Sequence, residues 1–235
     1  MKAATRVLIV ATALAAAAVG GFVGYRLVMP MPTVVRGTAA DSPATPNASS
    51  AGRSAAKAIP DRLPDITLTD RDGQPRQLSE WAGRPLLINF WATWCAPCRR
   101  EIPLLKTLRA ERASKGLEVI GIAVDFRDAV LEYAREIGLD YPLLIGEQDG
   151  LDAAAAFGMD MVLPFSIFAD RDGRIVTLKV GELHADEARY ILDTVREVDA
   201  KRLELGPARQ RIAVRLKELA ADRAVDGDPD RTPPN

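Results

Sequence analysis

The run Leu86-Leu-Ile-Asn-Phe-Trp91 constrains this chain more than any other stretch. Five of its six residues are apolar and they do not alternate with polar ones, which is the pattern of a strand buried on both faces in the middle of a sheet. A strand of that kind must be covered from above and below, so the chain has to build layers around it. Val119 to Val124 (VIGIAV) is a second run of the same type. Shorter strand-like segments lie at Ile66 to Thr69, Pro142 to Ile145, Phe165 to Ala169 and Ile175 to Val180, and Asp72-Gly73 and Asp172-Gly173 read as hairpin turns. Between the strands, Ala96 to Ser114 has a helical composition with Ile102, Leu105 and Leu108 on one side and a kink expected at Pro103. Ala129 to Ile137, Leu151 to Phe157 (ended by Gly158) and the amphipathic stretch Ala185 to Leu203 are further helices. Strands alternating with helices and finishing in a hairpin and helix predict a three-layer α/β domain.

The flanks are different in kind. Lys2 and Arg6 precede Val7 to Gly24, eighteen residues without a charge, which as a helix would span about 27 Å against a hydrocarbon core of roughly 30 Å. Residues 1–29 therefore read as a membrane anchor or, since Ala16-x-Ala18 offers a processing site, as a signal peptide. Either reading takes the rest of the chain out of the cytosol. Residues 30–60, rich in Ala, Pro, Ser and Thr, suit a flexible linker with a reach of roughly 30 Å. The domain is then expected over residues 61–204, and residues 205–235 form a helical extension, Ala208 to Ala221 packed loosely as a solvated helix, followed by a disordered tail from Asp226. With 31 Lys and Arg against 32 Asp and Glu, nothing favours nucleic acid as a partner.

Two cysteines, Cys95 and Cys98, are all the chain has. Their spacing by itself serves zinc, haem attachment, disulfide exchange or a structural staple. Structural zinc asks for four ligands, and only one His accompanies the pair; haem attachment asks for His after the second cysteine, where Arg99 stands; a staple around so small a loop adds little loop entropy. Redox exchange leads. The pair falls where a buried strand hands over to a helix, so Cys95 is expected at a helix N-terminus, where N–H groups and the dipole favour a thiolate. Pro97 suits the first turn, and Trp94 would give an apolar patch beside Cys95. His184, the only histidine, has acidic neighbours and reads as a capping or surface residue.

NFWATWCAPCRREIP, preceded by LSEWAGRPLLI and followed by VLPFSIFADRDGRIVTLKVGEL, resembles the TlpA/ResA-like branch of the thioredoxin superfamily, over about Leu63 to Val195. The resemblance implies a thioredoxin-like three-layer α/β/α domain with a central mixed sheet, on a single-pass anchor in the bacterial inner membrane with the catalytic domain in the periplasm. It implies that Cys95 is the exposed nucleophile and Cys98 the buried resolving thiol. It puts Leu163-Pro164 in the segment where the family holds a cis-proline facing the active site, Leu163 offering its backbone to an extended substrate; from the sequence alone a trans proline stays open. Thioredoxin has an Asp where this chain has Asn89. ResA-like proteins instead carry a Glu three residues after the second cysteine, and Glu101 stands there, on the helix face of Cys98. Asp125 and Asp128 are weaker candidates for the same proton.

The expected function is thiol-disulfide exchange with protein disulfide substrates, without cofactor or metal. By the resemblance it runs as a reductase, for example of apocytochrome c or a copper-site protein, re-reduced by a membrane electron donor. A Cu(I) metallochaperone using the same two thiolates is the rival, with Met159 and Met161 the only nearby soft ligands; a peroxidase ranks last.

Overall fold

The computed structural model describes residues 59–226 except Met161. The expectations for the anchor, for the linker up to residue 58 and for the tail at residues 227–235 lie outside the described residues. Among the described residues, no helix is long and apolar enough to cross a membrane.

Seven strands form one mixed sheet: β1 (Thr67–Asp70), β2 (Pro75–Gln77), β3 (Leu86–Trp91), β4 (Glu118–Val124), β5 (Leu143–Gly146), β6 (Phe165–Ala169) and β7 (Ile175–Val180), in the order β2-β1-β5-β4-β3-β6-β7. β3, β4 and β5 run parallel, while β1, β6 and β7 pair antiparallel with their neighbours. The expected central strand is central: β3 lies between β4 and β6 and every one of its residues is buried. Among the described residues the α-helices are α1 (Ala96–Arg112), α2 (Arg127–Glu136), α3 (Gln148–Ala156), α4 (Ala185–Asp199) and α5 (Leu205–Asp226).

Alternation along the strands divides the core in two. Leu87, Trp91, Val119 and Ala123 face a cluster with Leu105 of α1, Val130 of α2 and Ile191 of α4. Leu86, Ile88, Phe90, Ile120 and Ile122 face the other side, with Leu78 and Trp81 of a 3-10 turn and Ala153 of α3. Helices thus cover both faces, which is the layering that a strand as apolar as β3 requires. The tetrapeptide Asp-Arg-Asp-Gly makes both hairpin turns. Asp70 Oδ1 accepts from the N–H groups of Asp72 and Gln74 (both 2.9 Å), and Asp170 Oδ1 accepts from those of Asp172 (3.1 Å) and Arg174 (2.8 Å). Gly73 and Gly173 supply the positive φ these turns need (77° and 73°).

Pro103 lies inside α1, as expected; it sits on the exposed side, where the Arg99 carbonyl it leaves free can meet water, and the helix continues to Arg112. Two local expectations change. The closing helix stops at Asp199 rather than Leu203, because Lys201 takes a left-handed conformation (φ 55°) that turns the chain into α5. The extension is not loosely attached. Ala208 and Ile212 are fully buried in the cluster that also holds α1 and α4, and the Arg209 guanidinium donates to the Ile175 carbonyl at the start of the edge strand β7 (3.1 Å from Nε).

Candidate active site

The C-terminal ends of β3 and β4, the start of β6 and the end of β7 meet at one edge of the sheet, since Phe90 pairs with Phe165 and Phe165 with Val180. Cys95 and Cys98 lie at this edge, joined by a disulfide with Cα atoms 5.3 Å apart. Cys95 is the N-cap of α1, and its sulfur accepts the Cys98 N–H at 3.3 Å. That is where the unpaired N–H groups and positive dipole end of a helix stabilise a thiolate. Pro97 takes a position in the first turn, where its missing N–H has no partner to lose. Cys98 is fully buried. Cys95, expected to be exposed, is only 5% so, and the open surface belongs to its neighbour Trp94, which is 65% exposed.

Glu101 is the other buried group of the site. One turn after Cys98 on α1, it is 2% exposed, yet its carboxylate is held on both sides: Oε1 accepts from Asn89 Nδ2 and Oε2 from the Leu183 N–H, each at 2.6 Å. Asn89 also donates to Ser166 Oγ at 3.1 Å. Ser166 is its direct partner across the β3–β6 ladder, so strand register alone brings the two polar side chains together inside the core. Burial raises the pKa of Glu101 to about 7, against the pull of the Leu183 and Asn89 hydrogen bonds; Glu182 adds to the rise and Lys179 opposes it. A carboxyl group titrating there, on the face of Cys98, can both take and give a proton near neutrality.

The Leu163–Pro164 peptide bond is cis, and Leu163 packs against the cluster that contains both cysteines. Asp125 and Asp128 are placed differently from Glu101. Asp125 accepts from the Thr93 N–H (2.9 Å), the Thr93 hydroxyl and the Phe126 N–H (2.8 Å), tying the end of β4 to the segment before Cys95. Asp128 is exposed in the first turn of α2. His184 caps α4, its N–H donating to Glu187 Oε2 at 3.1 Å.

Sequence reasoning missed Ser166 and Leu183, the further partners of the Asn89–Glu101 pair. It also missed Phe126, Val162 and Val180, exposed apolar side chains that share the sheet edge with Trp94. An odd polar residue in each of two apolar strands, Asn89 and Ser166, was the available signal for the first; only topology gathers the second.

A family model described as Redoxin matches residues 59–195. Among curated proteins, the thiol-disulfide oxidoreductase ResA of Bacillus thuringiensis (strain Al Hakam) is 33% identical over 120 residues, covering 51% of this chain and 68% of its own. ResA of Geobacillus kaustophilus is 30% identical over 142 residues, covering 60% and 80%. Among solved structures, a thiol:disulfide interchange protein of the thioredoxin family from Chlorobium tepidum is similar with a TM-score of 0.52 at 28% identity, over 59% of this chain and 97% of that one. A Cys-x-x-Cys disulfide at a helix N-terminus, in a thioredoxin-like mixed sheet, thus agrees with what these relatives are, and the chain belongs to the Redoxin family as a thiol-disulfide oxidoreductase of the ResA type.

Proposed function

We propose that the protein is an extracytoplasmic reductase of protein disulfides, in which Cys95 attacks, Cys98 resolves and Glu101 handles the proton of Cys98. The observation that carries this reading is the buried Glu101 carboxyl, held by Asn89 and Leu183 on the α1 face of Cys98 with a pKa raised to about 7.

In the reduced protein the Cys95 thiolate attacks one sulfur of a substrate disulfide. A bond forms between Cys95 and that sulfur, and the other substrate sulfur leaves as a thiolate. Cys98 is buried beside apolar side chains, away from water that could take its proton, so a neighbouring base is needed before it can attack. Glu101 accepts that proton, and the Cys98 sulfur then attacks Cys95. The mixed disulfide breaks, the second substrate thiolate leaves and is protonated, and Cys95–Cys98 is left oxidised. Two electrons have passed to the substrate, and a membrane electron donor must return two. Asn89 suits a carboxyl that changes protonation, because an amide offers a donor to the carboxylate and, turned over, an acceptor to the acid.

Trp94, Phe126, Val162 and Val180 form the apolar surface onto which an unfolded or extended substrate segment would dock, with Leu163 beside the cis-proline offering backbone groups. The uncharged segment Val7 to Gly24 supports tethering to the bacterial inner membrane with the domain in the periplasm. Disulfides of apocytochrome c or of a copper-site protein are substrates of the right kind. Trapping tests the assignment: in the Cys98→Ala variant the mixed disulfide cannot be resolved, so Cys95 should remain joined to substrate, and the joined proteins can be identified. Recovery of the variant without any attached protein, when wild type reduces disulfides, would contradict the proposed roles. Direction is checked by the reduction potential, since a value near that of a strong oxidant, about −120 mV, is incompatible with a reductase.

A further inference from the structure

Helix α5 runs antiparallel to α4. Near its start Arg211 pairs with Glu197 toward the end of α4 (3.0 Å), and near its end Arg223 reaches Asp186 (3.1 Å) and Glu187 in the first turn of α4. The far end of the extension therefore lies beside residues 181–184, the segment that leads from β7 into α4 and holds Glu101.

Glu187 is the junction. Its side chain is 1% exposed. One oxygen accepts from Arg223; the other accepts the His184 N–H at 3.1 Å and lies 3.6 Å from Lys179 Nζ. Lys179 in turn donates to the carbonyls of Val180 (3.0 Å) and Glu182 (3.3 Å). The residue before His184 is Leu183, whose N–H donates to Glu101. A continuous line of contacts thus runs from the extension through Glu187 and the 183–184 backbone to the buried acid of the redox site.

We infer that Arg223 is a positioning residue for Glu101: by anchoring Glu187, it holds the 183–184 backbone so that the Leu183 N–H stays directed at the Glu101 carboxylate. A carboxylate as enclosed as Glu187 keeps its charge and place only with an ionic partner. Without Arg223 one oxygen loses its partner and the charge is left to Lys179 alone, 3.6 Å from the other oxygen; a side chain that turns the freed oxygen toward Lys179 or toward water carries the other away from the His184 N–H. Facing Glu101 are Asn89 from β3, the Leu183 N–H, Lys179 from β7, Glu182, which is itself paired with Arg100, and Tyr141 from the segment before β5. Of these, the extension reaches two through Glu187, the Leu183 bond by way of His184 and Lys179 directly. The catalytic consequence rests on the proposed role of Glu101, whereas the positioning itself does not.

Titration of the Glu101 carboxyl by carbon-13 NMR tests the positioning directly, in the full chain with the disulfide intact so that neither cysteine titrates. Wild type should have its midpoint at about 7. Arg223→Ala should move it upward by about one pH unit, because the anion loses one hydrogen bond, and Arg223→Lys, which keeps a cation, should restore most of the shift. Arg223→Gln retains the packed stem without the charge and replaces Arg223→Ala if that variant does not fold. A midpoint that stays at the wild-type value in both uncharged variants overturns the inference. If the midpoint moves while Glu101→Gln leaves the pH–rate profile unchanged, the positioning stands and the proposed role of Glu101 in catalysis falls.

Discussion

Asn89 donates its amide N–H to Glu101 at 2.6 Å from the middle of β3, a strand buried at every position. The chain thus pairs Glu101 with an amide rather than with a second carboxyl group. Because the partner is an amide, that bond puts no charge beside Glu101; burial dominates its protonation, with Glu182 and Lys179 acting in opposite senses.

The first consequence is kinetic. Below about pH 7 Glu101 holds its proton and cannot accept another, so resolution of the mixed disulfide should slow as the pH falls through that value. In Glu101→Gln this limb should vanish, with the rate lowered about 100-fold on the alkaline side. Single-turnover reduction of a model disulfide from pH 5 to 9 makes the comparison, and superimposable profiles would remove Glu101 from the mechanism.

Asn89→Asp should act in the opposite sense. Two carboxyl groups within hydrogen-bonding distance in a buried site cannot both ionise easily, so the pair should retain one proton to higher pH than Glu101 alone. The limb is expected to move upward by about one to two units. A downward move would mean that solvent reaches the site.

Stability should carry the same signature. Glu101 has a folded pKa of about 7 against 4.5 for the free side chain, so between those values the folded state binds the proton that the unfolded state has lost. Its contribution is complete below about pH 4.5 and declines as the pH rises to about 7, by about 3 kcal/mol in all. Urea unfolding of wild type and Glu101→Gln at pH 4.5 and 8 should show the difference between the two proteins changing by that order. A constant difference would mean that the carboxyl titrates normally.

Helix α5 makes a prediction of its own. Ile212 is wholly buried and Val214 is 54% exposed, so Ile212→Ala should cost about 2 to 5 kcal/mol and Val214→Ala no more than about 0.5 kcal/mol. Equal, small effects in chemical denaturation would restore the picture of a loosely attached helix.

Much of the sheet was readable from local pattern. Phe165–Ala169 and Ile175–Val180 form strands with the bounds their composition predicted, because an Asp-Gly turn and the residues that favour strands act over a few positions. The Cys-x-x-Cys pair was equally legible, since a strand running into a helix is a local event and puts Cys95 at the N-cap. Helix ends were less so: Lys201 carries no sign that it will adopt a positive φ.

What neighbours in sequence could not decide depends on contacts made across the fold. Glu101 could be named from its spacing to Cys98, but its raised pKa follows from burial in the assembled core, and the hydrogen bonds that oppose the rise come from Asn89, 12 residues away, and Leu183, 82 residues away. Trp94, Phe126, Val162 and Val180 look unrelated until strand order brings them to one edge. The charged pattern of α5 suggested a solvated helix because charged residues are interspersed along its whole length, and only the cluster that receives Ala208 and Ile212 makes them core. Composition and short-range spacing determined the elements and the reactive pair, because those forces act within a few residues. Desolvation and register, which act between distant segments, determined the acid's chemistry and the surface around it.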